Sequence, residues 1–158
     1  MQAQVKSAAR QDVLDFYRQL PFNYSATPEQ AASSIKAENP VPFIFPEAES
    51  LYDVDAVVEM GCGTGWLSNA INYYYGTRVT AVDFNQVAID FGREVANVLG
   101  TDTKFCCHDL FSFEPEKSPE LVISNGVLHH TDDCMGGITK CISLLSSGGG
   151  ATVHRFVS

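Results

Sequence analysis

Glu59, Gly61, Gly63 and Gly65 stand in the run VVEMGCGTGW, an apolar stretch that ends in an acid and opens onto three glycines at alternate positions. Glycine permits left-handed backbone and lets a ligand approach where a Cβ would collide. Placed after a buried strand and before a helix, such a bend makes room for a nucleotide-like ligand. The N–H groups at the helix start are free to hold a carboxylate. Glu59 would face the site with negative charge, which disfavours a phosphate and suits a ligand bearing an ammonium group. Two other nucleotide patterns fail. A nicotinamide site expects G-x-G-x-x-G, and Trp66 stands where the third glycine should be. A P-loop needs a G-K-[ST] that does not follow.

Further polar residues fall where the same cleft would need them. Asp83 closes the run VTAVDFN, at the end of a second apolar stretch. A carboxylate there can accept both ribose hydroxyls of an adenosine. Asp109, in CCHDLFSF, follows a third stretch, where an acceptor meets an adenine amino group. Asn125 and Gly126, in LVISNGVLHHT, end a fourth and should line the cleft. His129 and His130 come next. An imidazole at that point can take a proton from an O–H or N–H nucleophile, because its ordinary pKa lies near neutrality.

The elements that must position these residues alternate. Strands are expected over residues 55–60, 78–82, 103–107, 121–124 and 151–157. Helices are expected over 64–75, 86–99 and 133–145, the first two closed by Gly76 and Gly100. In the second, Val87, Ile89, Phe91, Val95 and Val98 are the core candidates. The pattern predicts an α/β fold, a mostly parallel sheet with helices on both faces. Before it, residues 10–20 place Val13, Phe16, Tyr17 and Leu20 at helical spacing. Thr27 and Pro28 start a second helix that runs to about residue 37. NPVPFIFP, rich in proline, is expected to be irregular. Residues 1–50 thus read as a helical cap or lid and 51–158 as the core. Tyr17, Phe22 and Tyr24 are candidates to fold over the cleft.

Bulk properties narrow the function. The 158 residues suit one domain. Acids outnumber bases, 19 to 10, with no basic run, which argues against a nucleic-acid partner and for a small-molecule substrate. No apolar run approaches the roughly 18 residues of a membrane span, and no signal-peptide core opens the chain, so the expected location is the cytoplasm without membrane contact. The five cysteines include no C-x-x-C pair and read as reduced, packed thiols, with no metal site expected.

In order along the chain, VVEMGCGTGW, VTAVDFN, HDL, ELVISNGVLHHT and LLSSGGGATV resemble the motifs of the class I S-adenosylmethionine-dependent methyltransferases, over roughly residues 50–157. The resemblance implies a Rossmann-like three-layer sandwich that binds S-adenosylmethionine and releases S-adenosylhomocysteine. By position it implies that Glu59, Gly61, Gly63 and Gly65, with Cys62 between them, hold the methionine end and that Asp83 holds the ribose. Phe84 would meet an adenine face, Asp109 with Leu110 the adenine edge, and Asn125 the methionine or the sulfonium. His129 is the candidate catalytic base. The sulfonium methyl is already activated, so holding a nucleophile in line and excluding water is most of the task.

Two features depart from the family. The chain stops at Ser158, before the C-terminal hairpin usual in the family, so the last strand is expected to be an exposed edge; the expectation is a truncated product or a sheet completed by pairing with a second copy. Asn125 is followed by Gly-Val-Leu and not by the Pro-Pro-aromatic run that holds planar amines, which argues against base methylation. The leading expectation is a methyltransferase acting on a small or peptide-borne O, N or C nucleophile. The alternative is a cofactor-binding domain without activity of its own. A nicotinamide dehydrogenase is disfavoured by Trp66.

Overall fold

The computed structural model describes residues 27–154, with the backbone alone for His129 and for residues 152–154. The expected helix over 10–20 and the aromatics Tyr17, Phe22 and Tyr24 lie outside the described residues, as do the last residues of the expected final strand.

Helix α1, Pro28–Ala37, begins as its residues demand: the Thr27 hydroxyl accepts the Gln30 N–H at 3.2 Å, proline takes the first turn and Glu29 follows it. The proline-rich stretch departs from expectation. It forms one helical turn, α2, Val41–Ile44, because Pro40 and Pro42 occupy positions whose N–H groups would have had no helical partner. A 3₁₀ turn over Ala48–Asp53 leads into β1, Ala56–Met60. Then follow α3, Trp66–Tyr75; β2, Arg78–Asp83; α4, Gln86–Leu99; β3, Lys104–Cys107; β4, Leu121–Asn125; a 3₁₀ turn, Leu128–His130; α5, Cys134–Ser143; and β5, Gly150–His154. Helix α4 is capped by the Asn85 side chain, which accepts from Val87 and Ala88, and α5 by Asp133, which accepts from Gly136.

The five strands form one parallel sheet in the order β3-β2-β1-β4-β5. Successive side chains of a strand point to opposite faces, and each face has its own core. Val57, Val79, Leu121 and Ile123 pack with Ile35, Leu51, Leu67, Ile71, Val95 and Leu99, so α1, α3 and α4 cover one face. Val58, Met60, Val82 and Val122 pack with Leu128, Cys141 and Leu144, which puts α5 on the other. Val87 and Val98 are not core residues: they are 61% and 40% exposed, on the side of α4 opposite Ile89. The chain's winding direction reverses between β1 and β4, the place where a sheet of this kind opens a crevice beyond its strand ends. Apart from Tyr17, Phe22 and Tyr24, the backbone of each expected cleft residue lies at or shortly after the carboxyl end of one of β1 to β4.

Ile71 is fully buried where α3 meets the sheet. Ile71→Ala is expected to lower unfolding stability by about 2–5 kcal/mol through the cavity it leaves. Urea denaturation checks this through a reduced midpoint at unchanged slope.

Candidate functional site

Gly61, Gly63 and Gly65 all adopt left-handed backbone, with φ of 80°, 55° and 71°. Each glycine has a different reason to be bare. A Cβ on Gly61 would lie 2.6 Å from the Val127 methyls, so the loop after β4 packs directly on the loop after β1. A Cβ on Gly65 would lie 2.3 Å from the ring of Phe105 in β3. At Gly63 a Cβ would meet nothing within 4 Å. The outer two glycines therefore satisfy the protein, and the middle one faces open space.

The loop gives most of its backbone donors to the end of β2. Gly61 and Cys62 both donate to the Val82 carbonyl, at 2.7 and 2.9 Å, and Gly65 donates to the Cys62 carbonyl at 2.9 Å. Gly63 donates to Asp83 Oδ2 at 2.8 Å, while Oδ1 accepts the Asn85 N–H at 2.8 Å. A carboxylate can accept about four hydrogen bonds, so these backbone N–H groups do not exhaust Asp83. Burial raises the Asp83 carboxyl above its ordinary pKa, against the three backbone N–H groups that lower it.

Glu59 corrects the expectation of a site-facing charge. Its side chain points under α3, 3% exposed, and accepts from the Ser68 hydroxyl and the Ser68 N–H. Gly65 has no side chain to cap α3, so the carboxyl of Glu59 does so from β1. The helix start expected to hold a ligand carboxylate thus already holds the protein's own. Burial pushes the Glu59 carboxyl from 4.5 up to about 8; the Ser68 hydrogen bonds oppose that and the Asp83 charge adds to it. At neutral pH it is mostly protonated, so it brings little charge to the cleft.

Phe84, half-buried, directly follows Asp83. Asp109 is exposed beyond β3, and its Oδ1 accepts from Phe111 N at 2.8 Å and Ser112 N at 3.2 Å, which shapes the loop. Leu110 turns its side chain into the core, leaving its backbone for a ligand edge. Cys62 does the same beside Ala81 and Phe105, where burial pushes its thiol up. Asn125 ends β4, and its Oδ1 is buried without a hydrogen-bond partner. The backbone of His129 lies in the Leu128–His130 turn; its side chain is outside the described residues. Val127, Ser68 and Phe105 shape the site without having been singled out in the sequence, because a buried apolar residue or a helical serine carries no local sign of what it will touch.

These residues lie at neighbouring strand ends: Gly63 follows β1, Asp83 ends β2 and Asn125 ends β4 on the other side of β1. A separate groove of about 300 Å³ runs between Ala31, Ile35, Phe43, Trp66, Phe91 and Val95 and includes none of the cleft's polar residues. Among the described residues no helix is long and apolar enough to cross a membrane.

The open space over Gly63 and the unmatched Asn125 oxygen fit a ligand with a slender chain and donor groups. Known proteins of this shape point the same way. Residues 57–149, more than half of the chain, match the family described as Methyltransferase domain. The chain belongs to this methyltransferase domain family. It is similar to malonyl-[acyl-carrier protein] O-methyltransferase 1 of Ilyobacter polytropus, 28% identical over 101 residues that make up 63% of this chain and 37% of that protein. It is also similar to the ubiquinone biosynthesis O-methyltransferase of Coxiella burnetii, 27% identical over 112 residues, 70% of this chain and 47% of that protein. The chain thus spans less than half the length of these two relatives. Its fold is shared by a SAM-dependent methyltransferase of Geobacter sulfurreducens solved with S-adenosyl-L-homocysteine: TM-score 0.64, 15% identity, 92% of this chain and 55% of that one.

A carboxyl whose pKa is higher in the folded than in the unfolded chain binds more protons when folded, so stability falls as pH rises between the two values. Unfolding free energy is expected to decline from pH 4.5 to about pH 8, and Glu59→Gln should flatten most of that decline. Urea denaturation across this range checks it; an unchanged slope in the variant would show that Glu59 ionises normally.

Proposed function

We propose that this chain binds S-adenosylmethionine in the cleft beyond β1 to β4 and serves transfer of its methyl group to an oxygen nucleophile on a small or carrier-borne molecule. The observation that carries the reading is the open left-handed Gly63, held by Asp83 at the strand ends. The family match and the S-adenosylhomocysteine in the Geobacter structure support the cofactor. The names of the two relatives support oxygen as the acceptor.

In this reading the bare face of Gly63 admits the methionine chain. The remaining lone pairs of Asp83 accept the ribose hydroxyls, and a hydrogen bond to an ionised acceptor is about twice as strong as a neutral one. Phe84 lies against the adenine, with Asp109 and the backbone of Leu110 at its edge. Asn125 Oδ1 gains the donor it lacks in the protein. When bound, the cofactor supplies an activated methyl group that needs only an aligned nucleophile. His129, in the turn beyond Asn125, takes the proton that a phenol acceptor must lose; a carboxylate acceptor carries none and needs only to be aligned. Glu59 has no ligand role here; it holds the start of α3, and with it the bend at Gly65, in place.

Calorimetric titration is expected to show saturable binding of S-adenosylmethionine and S-adenosylhomocysteine, weakened by about tenfold or more in Asp83→Ala. With the cofactor supplied, carboxylate and phenol acceptors should yield S-adenosylhomocysteine, and amines should not. Folded protein that takes up neither compound at millimolar concentration would refute the cofactor reading. Turnover of amines alone would overturn the choice of oxygen.

A further inference from the structure

Phe105 belongs to β3, which is separated from β1 and its glycine loop by the whole of β2. Its buried ring nevertheless reaches the loop. A Cβ on Gly65 would stand 2.3 Å from Cε1 and 2.6 Å from Cζ of that ring. A Cβ on Gly92, in the interior of α4, would stand 2.5 and 2.8 Å from the same two atoms, and 2.8 Å from the Thr64 carbonyl oxygen. A glycine inside a helix is unfavourable beside alanine, and Gly92 gives α4 the close approach that offsets it. The ring edge fills the gap that the two glycines leave.

The backbone on each side of this contact is tied down. Arg93 Nη2 donates to the Phe105 carbonyl at 2.9 Å, and Asn69 Nδ2 donates to the Gly92 carbonyl at 3.1 Å. Beyond Phe105 the strand runs on to Cys107, and the loop after it carries Asp109. One rigid ring therefore joins the loop at the methionine end of the cleft to the strand that leads to the adenine end.

We propose that Phe105 is a positioning residue for the cofactor: its ring, wedged between Gly65 and Gly92, fixes the height of the glycine loop relative to β3, and so sets the distance between the two ends of the cleft. The ring acts through Gly65 and touches no part of the ligand. The inference rests on the cofactor reading above and adds to it a residue that determines how well the methionine end is held.

The test compares two ligands, S-adenosylhomocysteine, which spans both ends, and adenosine, which occupies one. Phe105→Leu keeps an apolar side chain and removes the ring edge. It is expected to weaken S-adenosylhomocysteine by about tenfold while adenosine changes by less than about threefold. Gly92→Ala presses on the same ring and on Thr64 from α4 and is expected to give the same selective loss; it carries the test if Phe105→Leu does not fold. Circular dichroism establishes that each variant is folded at the temperature of titration. Equal weakening of both ligands, or no weakening, in a folded variant overturns the proposal, because a loss of general stability does not distinguish them. A wild-type chain that binds neither ligand overturns the cofactor reading itself and this inference with it.

Discussion

The hydrogen bond from the Gly63 N–H to Asp83 is the contact on which the cleft depends. It ties the loop after β1 to the end of β2, and it does so with the carboxylate that also faces the crevice. The loop cannot be held by its own side chains, since its left-handed positions are bare. It is held by what surrounds it: the Val82 carbonyl and Asp83 from β2, Val127 from the β4 side and Phe105 from β3. A conformation rare for ordinary residues is thereby fixed by contacts from three neighbouring strands and their loops.

Buried acid is the second theme. Glu59 and Asp83 point to the same face of the sheet; burial raises the pKa of both, and the Asp83 charge adds to the rise at Glu59. Their environments separate their tasks. Asp83 is met by backbone N–H groups and stands at the mouth of the cleft. Glu59 lies deeper, against Ser68, and serves as the cap that glycine cannot provide. A pair of carboxyls that look equivalent in sequence thus divides into one that ties the glycine loop to β2 and one that supports a helix.

Much of this was legible from residue types alone. Alternating apolar runs and glycine stops located all five strands and the long helices, because periodicity and left-handed caps are local signals. Thr27-Pro28 marked α1 to the residue. Besides the proline-rich turn α2, the structure departs from these local signals at the rim of α4 and at Glu59. Val87 and Val98 looked like core residues because a wide apolar stripe on α4 does not reveal which of its edges meets the sheet. At Glu59, proximity in sequence to a glycine loop does not reveal that the side chain turns under α3 to Ser68. Phe105 and Val127 were invisible for a related reason: their importance lies in contacts with glycines distant in the chain, and neither partner carries a mark of the other.

Trp66 is the chain's single tryptophan and the first residue of α3, joined directly to Gly65. Its half-buried indole packs on the outer side of that helix, away from the cleft's polar groups. The molecule therefore carries its single indole at the junction of its bend and its helix. Emission from that indole is an optical record of the bend's posture, obtained without attaching any label.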